Sequence, residues 1–292
     1  MKITDLFGKK IIICDGAMGT MIQKYGLQTG ELPELLSFTD PEIIKGIHRS
    51  YFLAGSDIVT TNTFGLNRIR FENSGYTVAQ VAAQAVKLAK EAAKEAAEQA
   101  ASQGNQTGDK FVALDVAPIG KLMEPVGDLS FDEAYDIYKE LIMAGAEAGA
   151  DLIITETYMD IYEIKAAILA AKENCNLPVF SSVTFQEDGR MLMGTDPHTA
   201  VNIIQDLGVD ALGVNCSLGP KEIIGVVKEF LTYSKLPVLV QPNAGLPSVV
   251  DGQTAFQVDI GEYLEAMQEL LQAGVAIAGG CCGTNPDYIA AL

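Results

Sequence analysis

Ala273-Gly274-Val275-Ala276-Ile277-Ala278-Gly279-Gly280-Cys281-Cys282-Gly283-Thr284 compresses a structural repeat into one line. An Ala-Gly helix ending comes first, then a short apolar run, then a turn carrying thiols and a hydroxyl. A new helix opens at Asn285-Pro286-Asp287. The phrase recurs at Ala54-Gly55-Ser56-Asp57, Ala148-Gly149-Ala150-Asp151 and Leu207-Gly208-Val209-Asp210, each a glycine terminus feeding an apolar run. Working outward, eight apolar runs emerge, at 11–14, 57–61, 112–115, 152–156, 179–184, 211–215, 238–241 and 275–278. They are short, mostly β-branched and nearly continuous in apolar character, which suits parallel strands buried on both faces. Amphipathic stretches between them predict helices over 41–54, 78–102, 130–149, 161–173, 197–207, 221–233 and 260–273. Thr39-Asp40 before Pro41 and Ser130-Phe131-Asp132-Glu133 read as caps, the second as a capping box. Eight strand–helix units in a single domain predict an α/β fold, a (β/α)8 TIM barrel whose chemistry gathers at the carboxyl ends of the strands. Leu292 falls soon after the eighth helix opens, so that helix is expected to be truncated and the chain to be a module of a longer protein.

Composition narrows the partners. The 292 residues are 48% hydrophobic and 20% charged, with a net charge of −18. Nucleic acid and anionic membrane both call for a basic surface, so neither is expected. No apolar run approaches the roughly 18 residues of a membrane span, and the run after Lys9-Lys10 is too short for a signal peptide. Five cysteines in a long chain fit thiol or metal chemistry in a reducing cytoplasm better than a disulfide framework.

The strand ends carry the polar residues. In turn they read Asp15-Gly16-Ala17, Thr61-Asn62-Thr63-Phe64, Asp115-Val116, Glu156-Thr157, Thr184-Phe185, Asn215-Cys216-Ser217, Gln241-Pro242-Asn243 and Cys281-Cys282. The adjacent cysteines alone are compatible with small buried side chains, a vicinal disulfide or two ligands of a soft metal. Cys216, at the equivalent place two strands away, supplies a third thiol and favours Zn²⁺. Adjacent strand residues point to opposite faces, so Cys281 and Cys282 can share one ion only if the backbone bends at Gly279, Gly280 or Gly283. Three protein ligands leave a fourth position open, as catalytic zinc sites do. A substrate thiol entering there is expected to lose its proton and become a nucleophile toward an activated alkyl group, which favours S-alkylation over hydrolysis. Cys14 and Cys175 read as packing residues, and His48 and His198, both in helical segments, argue against a histidine-based hydrolase centre. Asp15 precedes Gly16-Ala17, whose N–H groups are candidates to receive a substrate carboxylate, and Glu156 is a candidate for an ammonium group. Together they would read an amino acid.

These residues carry a resemblance. Asp15-Gly16-Ala17-Met18-Gly19-Thr20, Thr61-Asn62-Thr63-Phe64, Gly213-Val214-Asn215-Cys216 and Gly279-Gly280-Cys281-Cys282-Gly283-Thr284 resemble the homocysteine S-methyltransferase family over essentially the whole chain. Pro118-Ile119-Gly120-Lys121-Leu122-Met123-Glu124-Pro125 and Gln241-Pro242-Asn243-Ala244-Gly245 are similar to the homocysteine-binding modules of its cobalamin-dependent members. The resemblance implies that residues 1–292 form a homocysteine-binding domain in which Cys216, Cys281 and Cys282 hold zinc and homocysteine binds through sulfur, to be methylated to methionine. It implies that Asp15 and Glu156 hold the amino acid, and that Asn243 approaches the metal when substrate is absent. Betaine-using relatives place a tyrosine where this chain has Gly65, which points to methylcobalamin as donor. Cobalamin- and folate-binding modules are then the expected partners, S-methylmethionine or another small donor being the alternative. A zinc-binding docking module without catalysis is the reading from outside enzymology.

Overall fold

A computed structural model describes residues 1–26, 30–104, 108–250 and 253–292. Eight strands form one all-parallel sheet: β1 (Ile12–Ile13), β2 (Ile58–Thr60), β3 (Phe111–Val116), β4 (Leu152–Tyr158), β5 (Val179–Val183), β6 (Ala211–Asn215), β7 (Val238–Gln241) and β8 (Ile277–Ala278). Their spatial order is β1-β8-β7-β6-β5-β4-β3-β2, and a parallel bridge from Cys14 to Ile58 brings the two ends together as a barrel. That seam has little ladder of its own, and side chains supplement it. Asp57 accepts from the Ile13 N–H at 3.0 Å and from Lys10 at 2.6 Å on one side. On the other, Asp15 Oδ2 accepts from the Thr60 N–H at 2.8 Å.

The helices follow in alternation: α1 (Pro41–Ala54), α2 (Val78–Ser102), α3 (Phe131–Glu147), α4 (Ile161–Asn174), α5 (Pro197–Asp206), α6 (Ile224–Tyr233), α7 (Ile260–Ala273) and α8 (Pro286–Ala291). The recurring Ala/Leu-Gly phrases are the turns that return each helix to the sheet, with Gly55, Gly149, Gly208 and Gly274 at φ of 114°, 94°, 80° and 118°, a region glycine enters without steric cost. Sequence and structure differ at several boundaries. Only half of the expected capping box forms before α3: Ser130 accepts from the Glu133 N–H, with no reciprocal bond recorded. Asp40 makes no side-chain cap: its backbone sits at φ −140° and ψ 57°, away from the extended geometry of Asp196, which caps its helix with a proline in the same place. β1 and β8 are each two residues long, shorter than the apolar runs containing them. A two-stranded antiparallel hairpin, Ser248–Val250 with Gln253–Ala255, stands outside the eight runs expected from the sequence.

Inside the barrel, Ile12, Cys14, Ile58, Phe111, Leu152, Phe180, Leu239 and Ile277 form one apolar cluster, sealed at the amino-terminal end by Ile3 and Phe7. Phe7 packs on Phe180 with ring centroids 5.7 Å apart. The larger apolar layers lie between the strands and the surrounding helices. Cys14 is therefore a packing residue, as read from sequence. Cys175 ends α4 half-buried, its thiol directed to the Ala171 carbonyl at 3.3 Å.

Candidate metal and substrate site

The turn after β8 bends as the thiol reading requires. Gly283 adopts φ 82°, and a Cβ on Gly279 would come within 2.8 Å of the Asp15 carbonyl oxygen and of Cys14 Cβ. The turn is bolted to its neighbours by backbone bonds: Gly280 N–H to Asp15 O (3.0 Å), Cys281 N–H to Pro242 O (2.9 Å) and Ala244 N–H to Cys282 O (2.9 Å). Opposite it, β6 ends in two non-glycine residues with left-handed backbones, Cys216 (φ 58°) and Ser217 (φ 56°). The result is a cluster of Cys216, Cys281 and Cys282 in which the three sulfurs lie within 4.8 Å of one another, Cys216 and Cys282 at 4.0 Å. Thiolates around one tetrahedral zinc at about 2.3 Å would sit about 3.8 Å apart, so small side-chain movements bring the set to metal geometry. No disulfide joins any pair.

The electrostatics of the cluster describe one negative charge shared by three sulfurs. S–H donation from Cys281 and then Cys282 pulls the Cys216 thiol down to about 3. Donating to Cys216 pushes Cys282 up to about 12 and Cys281 well above the ordinary thiol range, burial adding to both. A divalent cation would displace the two remaining protons. Asn243, buried beside the cluster, hydrogen-bonds Cys216 through its side chain, and its Oδ1 has no partner among the described residues.

Cys281 and Cys282 open onto a cavity of about 230 Å³ whose wall includes Asp15, Asp115, Glu156, Thr60, Gln241 and Glu34. The carboxyl groups are held away from water, and burial is the leading cause of every shift among them. Asp15 and Asp115 are pushed well above the usual carboxylate range, and Glu156 up to about 7. Glu156 Oε2 accepts from Asn215 Nδ2 at 2.8 Å. Among the described residues, the cavity-lining side-chain atoms left without partners are Glu34 Oε2, Asp115 Oδ1 and Gln241 Oε1. Gln241 Oε1 is an acceptor, and the two carboxyl oxygens accept when ionised, so an ammonium group is a ligand that would satisfy all three.

The structure thus brings together Asp15, Gly16, Ala17, Glu156, Cys281 and Cys282 on one cavity wall, with Cys216 and Asn243 behind it. Two details differ from the reading of the residues. The Ala17 N–H already donates to Thr284 Oγ1 at 3.2 Å, so it is not free for a carboxylate. Asp15 is engaged by both the N–H and the hydroxyl of Thr60, which gives it a part in closing the barrel seam. Sequence reasoning passed over Asp115, Gln241, Glu34 and Arg70 as lining residues. The first two stood at strand ends and carried a signal; Glu34 and Arg70 come from loops whose path no local pattern reveals.

Comparison with known proteins follows this geometry. The profile described as homocysteine S-methyltransferase matches residues 12–292. The chain is 31% identical over 300 aligned positions to the methionine synthases of Mycobacterium leprae and Mycobacterium tuberculosis, covering 98% of itself but only 24% and 25% of those proteins. It therefore spans about a quarter of their length. Among solved structures, the metallated form of the homocysteine methyltransferase MmuM of Escherichia coli superposes with a TM-score of 0.82 at 23% identity, over 98% of this chain and 96% of that one. At that identity the superposition speaks for the barrel alone.

Proposed function

The chain belongs to the homocysteine S-methyltransferase family, and from that premise we propose that residues 1–292 are a homocysteine-binding methyltransferase domain holding Zn²⁺ between Cys216, Cys281 and Cys282. The observation that carries this is the cluster of three sulfurs, two of which open onto a cavity whose wall holds unpartnered oxygens of Gln241, Asp115 and Glu34. The donor set suits zinc, a borderline-soft ion that takes thiolates tetrahedrally. Bound there, zinc supplies the Lewis acidity that keeps a substrate sulfur deprotonated at neutral pH. The remaining work belongs to the chain. Glu156, with Asp115 beside it, receives the substrate ammonium group, and Asp15 holds the wall on which the amino acid lies. Asn243, whose side chain reaches Cys216, would be the residue placed to approach the metal when substrate is absent. Burial of all these groups excludes water, so the sulfur meets the methyl carbon as the strongest nucleophile present. The new S–C bond forms as the bond from methyl to donor breaks, its electron pair staying with the donor.

Methylcobalamin carried by another module or protein is the donor this reading favours, with a folate-binding module to regenerate it. Gly65 stands where betaine-using relatives carry a tyrosine, which argues against betaine as the donor. Free thiols in a metal site also suit a reducing compartment such as the cytoplasm.

The test is titration of anaerobically purified, zinc-loaded protein with homocysteine in buffers of different ionisation enthalpy. One zinc per chain and about one proton released per thiol bound are expected. Absence of zinc binding after metal addition would end the metal reading. Turnover with S-methylmethionine and none with methylcobalamin would reassign the donor, and metal binding without any homocysteine response would leave a docking module.

A further inference from the structure

The strand β4 breaks register between Thr155 and Tyr158, and at the break Thr157 has φ 65°. A β-branched residue in the left-handed region is strained and persists only where the surroundings hold it. What holds it is the side chain of Asn215, the last residue of β6, fully buried. Asn215 Oδ1 accepts from the Thr157 N–H at 2.9 Å and from Ser182 Oγ at 2.8 Å. Its Nδ2 donates to Thr157 Oγ1 and to Glu156 Oε2, both at 2.8 Å. Two acceptor positions and two donors exhaust a carboxamide, so a residue without one cannot make all four bonds, and Gln would carry the group one methylene too far. One amide therefore spans β4, β5 and β6. It pins the bulge that aims Glu156, and its own backbone leads directly into the left-handed turn that aims Cys216.

An amino thiol is gripped at two ends, and its acceptance depends on the separation of the two grips. We propose that Asn215 is a positioning residue that fixes the Glu156 carboxylate relative to the Cys216 sulfur, and so selects an amino thiol of homocysteine length over the shorter cysteine. The inference rests on the proposed function, since it takes those two residues as the ammonium and metal grips. N215D keeps the shape and both acceptor bonds but turns an oxygen toward the Glu156 carboxylate and Thr157 Oγ1. Thr157→Gly tolerates the backbone angle and removes only one of the four bonds.

Zinc-loaded protein is titrated calorimetrically with homocysteine and with cysteine, alongside zinc analysis and melting. The unmodified chain is expected to prefer homocysteine by about 10-fold or more, the scale of one methylene in a fitted site. N215D is expected to retain one zinc and to lose about 10- to 100-fold in homocysteine affinity, with the preference falling toward parity. Thr157→Gly is expected to lose less, in the same direction, with an unchanged melting temperature. If N215D does not fold, Thr157→Gly alone decides. A homocysteine-to-cysteine ratio unchanged in zinc-bound variants, even with both affinities lowered, overturns the role of Asn215 and leaves the proposed function standing. Failure of the unmodified protein to bind homocysteine removes both.

Discussion

At the amino-terminal end of the barrel, Ile12, Phe111, Leu152, Phe180 and Ile277 meet in a dry interior that Ile3 and Phe7 seal. Toward the carboxyl end the barrel strands carry Asp15, Asp115, Glu156, Asn215 and Gln241, all buried. The first end is stabilised by burial of apolar surface, worth about 25 cal/mol per Å². The second pays desolvation of several carboxyl groups and three thiols and recovers only part of it in hydrogen bonds. The lesson is that one end can be altered at the expense of folding and the other at the expense of ligand binding, with little crossover.

The sharpest way to break that comparison is a pair of truncations at the two ends. Cys281→Ala is expected to lower zinc affinity by at least about 100-fold, while the metal-free protein melts close to the parent, as followed by dialysis with metal analysis and by calorimetry. Phe180→Ala, in the sealed end, is expected to cost about 3–5 kcal/mol in urea unfolding with one zinc still bound per folded chain. Matching losses of both quantities in both variants would show that the two ends are one cooperative unit.

How far the sequence shows this division depends on which end is read. Strand interiors declare themselves locally, because a parallel strand covered on both faces must be apolar throughout. Glycine helix ends at Gly55, Gly149, Gly208 and Gly274 mark the repeat with equal clarity. The thiols were legible for the same reason: Cys216 and Cys281-Cys282 fall at equivalent points of the repeat. What local pattern cannot tell is where a polar strand end points. Glu156 is aimed by a bulge that depends on Asn215, nearly sixty positions away in the chain. Asp115 resembled any other strand-terminal acid until Glu156 was beside it. The hairpin strands Ser248–Val250 and Gln253–Ala255 flank Asp251-Gly252, a dipeptide that favours tight hairpins, but a reading tuned to buried parallel strands passes over an antiparallel pair.

His48 sharpens the comparison from the helical layer. Its ring is buried in α1, both nitrogens lacking partners among the described residues, and burial lowers it from 6.5 to about 4. The unfolded chain takes up this proton first. The stability is therefore full above pH 6.5 and declines as pH falls toward 4, by about 3 kcal/mol in all. His48→Leu is expected to flatten that slope in urea midpoints measured between pH 7 and pH 4, and an unchanged slope would place the acid sensitivity elsewhere. Glu156 has the opposite sign. Burial raises it from 4.5 to about 7, so its contribution is complete below 4.5 and is lost as pH rises through 7. Glu156→Gln is expected to stabilise the fold at pH 7.5 while lowering homocysteine affinity by about 10- to 100-fold, the worth of a charge-assisted hydrogen bond. Lower stability together with unchanged affinity would contradict the trade between the two ends.

The smallest effect is expected outside both ends, on the helical surface. Lys228 of α6 meets Glu269 of α7 at 2.8 Å, yet the side chains are 54% and 51% exposed. In water such a pair gains little Coulomb energy and gives up side-chain freedom to form. Removing a cation from a chain of net charge −18 adds slightly to self-repulsion, and ordinary salt screens that over about 8 Å. Lys228→Ala should therefore leave the urea midpoint at 0.15 M salt unresolved from the parent, zinc content and homocysteine affinity included. A clear loss of stability would mean that the packing of α6 on α7 depends on this ion pair. The apolar contacts that Val226, Val227, Phe230, Tyr263, Met267 and Leu270 make from the buried faces of those two helices would then be insufficient to hold the wall behind Cys216.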